Sequence, residues 1–163
     1  MSLDPERLDA FDLGILDALQ TDASRSLQEI AASIGLSHNA CWRRVKRLEA
    51  DGFIRERVAL LDAKALGVGV TVFVSFRTNQ HNDEWLDQFA RGVERIPEVT
   101  ELYRMSGDID YLAKVLVRDI EEYDRVYKRL IAVAELHDVS SSFAMERIRS
   151  TTALLLHYVP TSE

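Results

Sequence analysis

Between Leu36 and Gly52 the chain reads Leu-Ser-His-Asn-Ala-Cys-Trp-Arg-Arg-Val-Lys-Arg-Leu-Glu-Ala-Asp-Gly, which gathers cations, an amide and an indole into one short stretch. Ser37 is a good helix N-cap and Gly52 a good helix stop. At about 100° per residue, Cys41, Val45 and Leu48 share one face of the predicted helix. Asn39, Arg43 and Lys46 fall nearly opposite, with Trp42 and Arg47 flanking them. Arg43, Arg44, Lys46 and Arg47 follow one another with no acid among them. Such a helix suits the major groove of double-stranded DNA, where Arg can pair with guanine, Asn with adenine and Lys with phosphate. The same pattern also fits an ordinary solvated basic face, and its surroundings must separate the two readings.

Those surroundings favour DNA. Ser26 with Glu29 forms a capping-box pattern, and Leu27, Ile30, Ala31 and Ile34 then recur at helical spacing until Gly35. Two short helices joined by a glycine-containing turn, the second of them basic, make a helix-turn-helix. An earlier helix over about Asp9–Gln20, with Phe11, Ile15, Leu16 and Leu19 inward, supplies the third wall of a small core. After Gly52, the segment 53–61 is strand-like and carries Arg55 and Arg57, as a wing would. In this reading His38, Asn39 and Arg43 face bases, while Lys46, Arg47, Arg55 and Arg57 hold phosphates. Trp42 either packs on sugar or a thymine methyl, or seals the domain's own core.

Charge and composition bound the alternatives. The 163 residues are 47% hydrophobic and 29% charged, which fits one globular domain or two small ones rather than a disordered chain. A net charge of −7 looks wrong for a DNA binder. It is unevenly spread, however. Six cations (Arg43, Arg44, Lys46, Arg47, Arg55, Arg57) against three acids (Glu49, Asp51, Glu56) give residues 37–57 a charge of +3, leaving −10 elsewhere. Screening over roughly 8–10 Å lets a basic face work on an acidic body, so DNA binding should be salt-sensitive and aided by dimerisation. The single cysteine, Cys41, excludes an internal disulfide, and its inward position favours packing over redox sensing. No apolar run approaches the ~18 residues of a membrane helix, and Met1–Glu6 does not look like a signal peptide, so a cytoplasmic protein with no membrane partner is expected.

From about Gly67 the pattern changes. Val70, Val72, Val74 and Phe76 alternate with Thr71, Phe73 and Ser75, predicting a strand. A helix follows over Asp83–Ile96 through Trp85, Leu86, Phe89, Val93 and Ile96, ended by Pro97. Strands are predicted at Val99–Met105 and Tyr111–Val117, hairpin partners across the turn Ser106-Gly107-Asp108. Asp119 caps a helix through Tyr123, Val126, Tyr127 and Leu130. A last strand pair is expected at Val139–Met145 and Ala153–Val159. The fold class is therefore α+β: an amino-terminal winged helix-turn-helix (residues 1–61), a short connector (62–67), and a carboxy-terminal ferredoxin-like β-α-β-β-α-β domain with one extra strand (68–163). Such a sheet covers one face with its helices and leaves the other for a second subunit, so at least a homodimer is expected.

Four ordered pieces resemble the Lrp/AsnC (feast/famine) family of transcription regulators over nearly the whole chain. They are Asp12-x-x-Ile15-Leu16-x-x-Leu19, Ile34-Gly35-Leu36-Ser37, Arg44-Val45-Lys46-Arg47-Leu48-Glu49-x-x-Gly52-Phe53-Ile54, and Ser106-Gly107-Asp108-Ile109-Asp110-Tyr111-Leu112. The resemblance implies a sequence-specific DNA-binding regulator that dimerises, often assembles to octamers, and binds a small effector, usually an amino acid, between dimers. It places Gly107, Asp108 and Asp110 near that effector, with Ser141 as an accompanying hydroxyl. A carboxylate can pair an ammonium while N–H groups beside a glycine take a carboxylate. By themselves, Asp108 and Asp110 equally fit a simple β-turn. His81-Asn82-Asp83-Glu84-Trp85 and Ser141–Glu146 further resemble a branch that controls amino-acid breakdown, including that of sulfur amino acids. Trp85 itself is expected to anchor its helix in the core.

An enzyme is the rival class. His38, His81, His137 and His157 lack metal-ligand spacing, no glycine-rich phosphate loop is present, and two aspartates alone make a weak Mg²⁺ site. No metal and no cofactor beyond an amino-acid effector is expected, and the chain is taken as a non-enzyme. A further rival has the helix-turn-helix packed on protein, but of residues 38–47 only Trp42 offers that face an apolar anchor.

Overall fold

Side-chain caps start each α-helix of the first unit. The structure, a computed structural model, describes residues 8–80 and 82–160. Met1–Glu6 and His81, considered above, lie outside the described residues. In α1 (Ala10–Thr21), Asp9 accepts from the Asp12 amide at 2.9 Å while Asp12 accepts from the Asp9 amide at 3.2 Å. Ser26 and Glu29 close the expected box on α2 (Leu27–Ser33), and Ser37 caps α3 (His38–Ala50) by accepting from Ala40 N–H. Gly35 and Gly52 take φ values of +75° and +83°, the left-handed conformation that ends a helix without Cβ strain. Ile15, Ala18 and Leu19 of α1, Ile30 and Ala31 of α2, and Cys41, Val45 and Leu48 of α3 form one core. Phe11, expected inward, lies 42% exposed beneath the Arg44 guanidinium instead. Its neighbour Asp12 takes the inward position, because it serves both the cap and two arginines.

The chain divides into two compact units, Met1–Ala59 with Arg149–Glu163, and Leu60–Ile148. This departs from the expected 1–61 and 68–163. Residues 153–159 do not form a strand. They run extended to a 3₁₀ turn at Leu156–Tyr158. The Gln20 amide clasps Leu154, donating to its carbonyl at 3.1 Å and accepting from its N–H at 2.8 Å, while Val159 packs on the first core. Nor does 53–61 form the expected wing strand: no ladder partner exists among the described residues, and Val58, Leu60 and Leu61 remain exposed. Strand propensity alone does not satisfy the main-chain N–H and C=O groups of a lone extended segment. The connector 62–67 is a tight turn, with the Asp62 carboxylate accepting from Ala65 N–H at 2.8 Å.

The second unit has the expected element order: β1 (Val70–Arg77), α4 (Asp83–Glu94), β2 (Val99–Arg104), β3 (Tyr111–Val117), α5 (Ile120–Ile131) and β4 (Asp138–Phe143). All pairings are antiparallel in the order β2-β3-β1-β4, the ferredoxin-like arrangement. Val72, Val74 and Phe76 of β1 and Tyr111, Ala113, Val115 and Val117 of β3 face Trp85, Phe89 and Val93 of α4 and Tyr123, Val126 and Leu130 of α5. Trp85 is buried as expected, stacked on Phe89 with its indole N–H donating to the Glu135 carbonyl. The opposite sheet face carries Phe73, Tyr103, Leu112 and Leu116, none of them fully buried.

Gly92 shows how tightly α4 seats against the chain leaving α5. A Cβ built there meets Val133 Cγ1 at 2.2 Å and Val133 Cβ at 3.2 Å. Valine has few rotamers with which to yield. Gly92→Ala is therefore expected to lower stability by about 1–3 kcal/mol despite the better helix propensity of alanine. In urea unfolding, Gly92→Ala combined with Val133→Ala should cost less than the two single changes together.

Candidate nucleic-acid interface and effector site

The Ser37 cap and the Cys41–Val45–Leu48 stripe fix which way α3 faces. His38, Asn39, Trp42, Arg43, Lys46 and Arg47 all lie on its exposed side. Trp42 is 48% exposed, so it does not seal the core. Among the described residues, Arg43 makes no ion pair or hydrogen bond. A shallow hollow of about 410 Å³ beside it is lined by Asp9, Leu36, Ala40, Arg43, Arg44 and Arg47.

The other cations are partnered to different degrees. Lys46 and Arg57 share Glu49 at 2.8 and 2.9 Å. Lys46's hydrogen bond is the main influence holding the Glu49 carboxyl below its ordinary range, against slight burial and with help from Arg57. Exposed pairs of this kind are worth about 0–1 kcal/mol. Arg55 is exposed. Arg47 differs from expectation, because its guanidinium donates to Asp12, a carboxylate with 0% exposure. Arg44, given no role from the sequence, donates to Asp12 at 2.8 Å and to both Asp9 oxygens at 2.9 and 2.8 Å. Burial works against ionised Asp9, but the Asp12 amide and Arg44 outweigh it and hold the carboxyl below its usual range. Sequence reasoning quoted Asp12 within the family motif but gave it no role. The available signal was a carboxylate three residues before Ile15 and seven before Leu19, on an otherwise apolar stripe.

The turn joining β2 to β3 also separates its residues by role. Gly107 takes φ +122°, which favours glycine, and Asp108 is exposed. Asp110 is a structural knot: its N–H donates to the Phe76 carbonyl at 2.9 Å, its carbonyl accepts from Met105 N–H at 2.8 Å, and its carboxylate accepts from Thr78 N–H at 2.9 Å. Thr78, which sequence reasoning did not single out, is buried. Ser141 lies opposite Val74 in β4 and exchanges a hydrogen bond with the Tyr123 hydroxyl on the helix side. Burial is the main cause that pushes the Tyr123 phenol upward. Phe76, not Val74, pairs with Tyr111, and β1 separates β3 from β4. At about 4.8 Å per strand, Ser141 is roughly 10 Å across the sheet from the Gly107–Asp110 turn, so one chain does not bring them together.

Among the described residues no three His, Cys, Asp or Glu side chains gather as a metal site, and no helix is long and apolar enough to cross a membrane. Comparison with known proteins covers both units. The AsnC-type helix-turn-helix domain matches residues 8–49, and the Lrp/AsnC ligand binding domain matches residues 71–154. A glutamate uptake regulatory protein from Zymomonas mobilis is 51% identical over 150 residues, covering 92% of each chain. An AsnC family transcriptional regulator from Agrobacterium tumefaciens superposes with a TM-score of 0.88 at 52% identity, covering 93% of this chain and 99% of that one. The transcriptional regulator NMB0573 from Neisseria meningitidis, solved as a complex with L-Met, gives a TM-score of 0.86 at 28% identity, covering 93% and 98%. Helix-turn-helix geometry, sheet order and two matched domains converge: the chain belongs to the Lrp/AsnC family of DNA-binding transcription regulators, a family of regulators rather than enzymes.

Proposed function

We propose that this chain binds double-stranded DNA sequence-specifically through α3 and that a small effector, an amino acid, changes that binding or the assembly of the protein. The carrying observation is the exposed His38–Asn39–Arg43 face, capped at Ser37 and anchored from behind by Cys41, Val45 and Leu48. His38, Asn39 and Arg43 face bases, Trp42 packs on sugar or a thymine methyl, and Lys46, Arg55 and Arg57 hold phosphates. Arg47, expected among the phosphate contacts, is engaged by Asp12. The half-covered face carrying Phe73, Tyr103, Leu112 and Leu116 supports a homodimer, whose symmetry matches a roughly palindromic site with half-sites about one helical turn or a multiple apart. Further assembly, such as an octamer, follows from the same family reading.

Effector recognition is assigned to Gly107 and Asp108, with Asp110 shaping the turn and Ser141 contributed from another copy. Asp108 is the free carboxylate there and suits an ammonium. The methionine complex of the Neisseria relative and the glutamate connection in the Zymomonas relative's name support an amino acid. Thermal melts against the common amino acids test this. A ligand at ~100 times its Kd adds about 2.7 kcal/mol, a rise of several degrees. One amino acid or a related few should raise the melting temperature, and Asp108→Ala should remove that rise while leaving DNA affinity without effector intact. A full response in Asp108→Ala contradicts the pocket assignment.

A further inference from the structure

We propose that Asp12, assisted by Asp9, is a positioning residue that withholds Arg44 and Arg47 from DNA and so lowers affinity for random sequence relative to a specific site. The inference rests on the docking of α3 proposed above. Asp12 has 0% exposure, and its two oxygens are divided between the two guanidiniums, Oδ1 to Arg44 and Oδ2 to Arg47. Asp9 adds a second carboxylate on Arg44. Both acids are fixed by their places in the α1 capping box, so neither can follow an arginine that swings outward.

The consequence is electrostatic. Two of the six cations between residues 37 and 57 are neutralised by acids from α1, and two more share Glu49, so Arg43 and Arg55 are left as the cations unpaired among the described residues. Non-specific DNA affinity is set by the number of phosphates neutralised, with log K falling by about 0.9 per phosphate for each decade of salt. Holding back two arginines lowers that number without altering His38, Asn39 or Arg43. A buried carboxylate facing two arginines is also costly to vacate, because the departing partner leaves charge uncompensated. The pairs therefore persist where the Glu49 pairs exchange.

The test uses the full chain and a random-sequence duplex, with affinity measured by anisotropy across a salt series. Asp12→Asn should bind this duplex more tightly, with a salt slope steeper by about 0.9 to 1.8, one or two additional phosphate contacts. Asp9→Asn keeps an equally good N-cap, so it retains the fold even where Asp12→Asn does not. It should steepen the slope by up to about 0.9, and adding Arg44→Gln should abolish that gain. Asp17→Asn, the same charge change at an exposed site on α1, should leave the slope unaltered. Slopes for Asp12→Asn and Asp9→Asn equal to that of Asp17→Asn overturn the proposal, as does Asp9→Asn steepening that survives Arg44→Gln. Arg43→Gln, measured on a duplex selected on the wild-type protein, reports on the docking itself: unchanged affinity there contradicts the placement of α3 on DNA, whatever the aspartate variants do.

Discussion

Arg43→Ala combined with Lys46→Ala is expected to abolish specific DNA binding while leaving the oligomer intact. A bidentate arginine–guanine contact carries about 1–3 kcal/mol of discrimination, and a phosphate contact adds salt-dependent affinity. Together their loss should weaken binding to a duplex selected on the wild-type protein by about 100-fold. Both side chains are exposed, and neither belongs to the core formed by Cys41, Val45 and Leu48. Size-exclusion behaviour and thermal stability should therefore match the parent. Unchanged DNA affinity sinks the assignment of α3 as the reading helix. A collapsed oligomer instead points to a surface used for protein contact.

Phe89→Ala should have the largest effect on the second unit. Phe89 is fully buried and central to an aromatic cluster, stacked on Trp85 at 5.0 Å, edge-on to Phe76 at 5.3 Å and tilted to Tyr111 at 5.0 Å. Truncating such a ring leaves a cavity and typically costs about 3–5 kcal/mol, a large fraction of the stability of a domain this size. Trp85 reports the event directly, and a Trp42→Phe background leaves it as the sole indole in the chain. Its fluorescence should show a large fall in the urea midpoint with the denaturant slope little changed. A loss below about 1 kcal/mol means the cluster repacks and is not the keystone its geometry suggests.

What the sequence made legible is what local chemistry decides. Ser26 with Glu29, Ser37, Asp119, Gly35 and Gly52 each cap or stop a helix through groups a few residues away, and their types announce it. The alternation in β1 and β3 survives because one face is buried on α4 and α5, and the order of helices and strands then leaves the ferredoxin-like sheet as the consistent topology. The missed features join distant residues. Asp12 meets Arg44 and Arg47 across 32 and 35 positions, and Gln20 clasps Leu154 across 134. Neither spacing has a period to detect. The apolar residues of 53–61 and 153–159 carry strand propensity, but pairing depends on a neighbour that propensity does not supply. At the turn between β2 and β3, the sequence could not separate Asp108 from Asp110. The hydrogen bonds do, tying Asp110 to Thr78, Phe76 and Met105 and leaving Asp108 exposed.

Regulation by an amino acid acting on DNA binding is tested most directly by titrating the wild-type protein onto a selected duplex at fixed salt. The titration is run alone and then with each amino acid that raises the melting temperature. Coupling of about 1–3 kcal/mol should change the DNA affinity roughly 5- to 150-fold for the true effector, and Asp108→Ala should reduce that change to none. Tight DNA binding that is identical with and without every amino acid contradicts effector control and leaves a regulator that reads DNA alone.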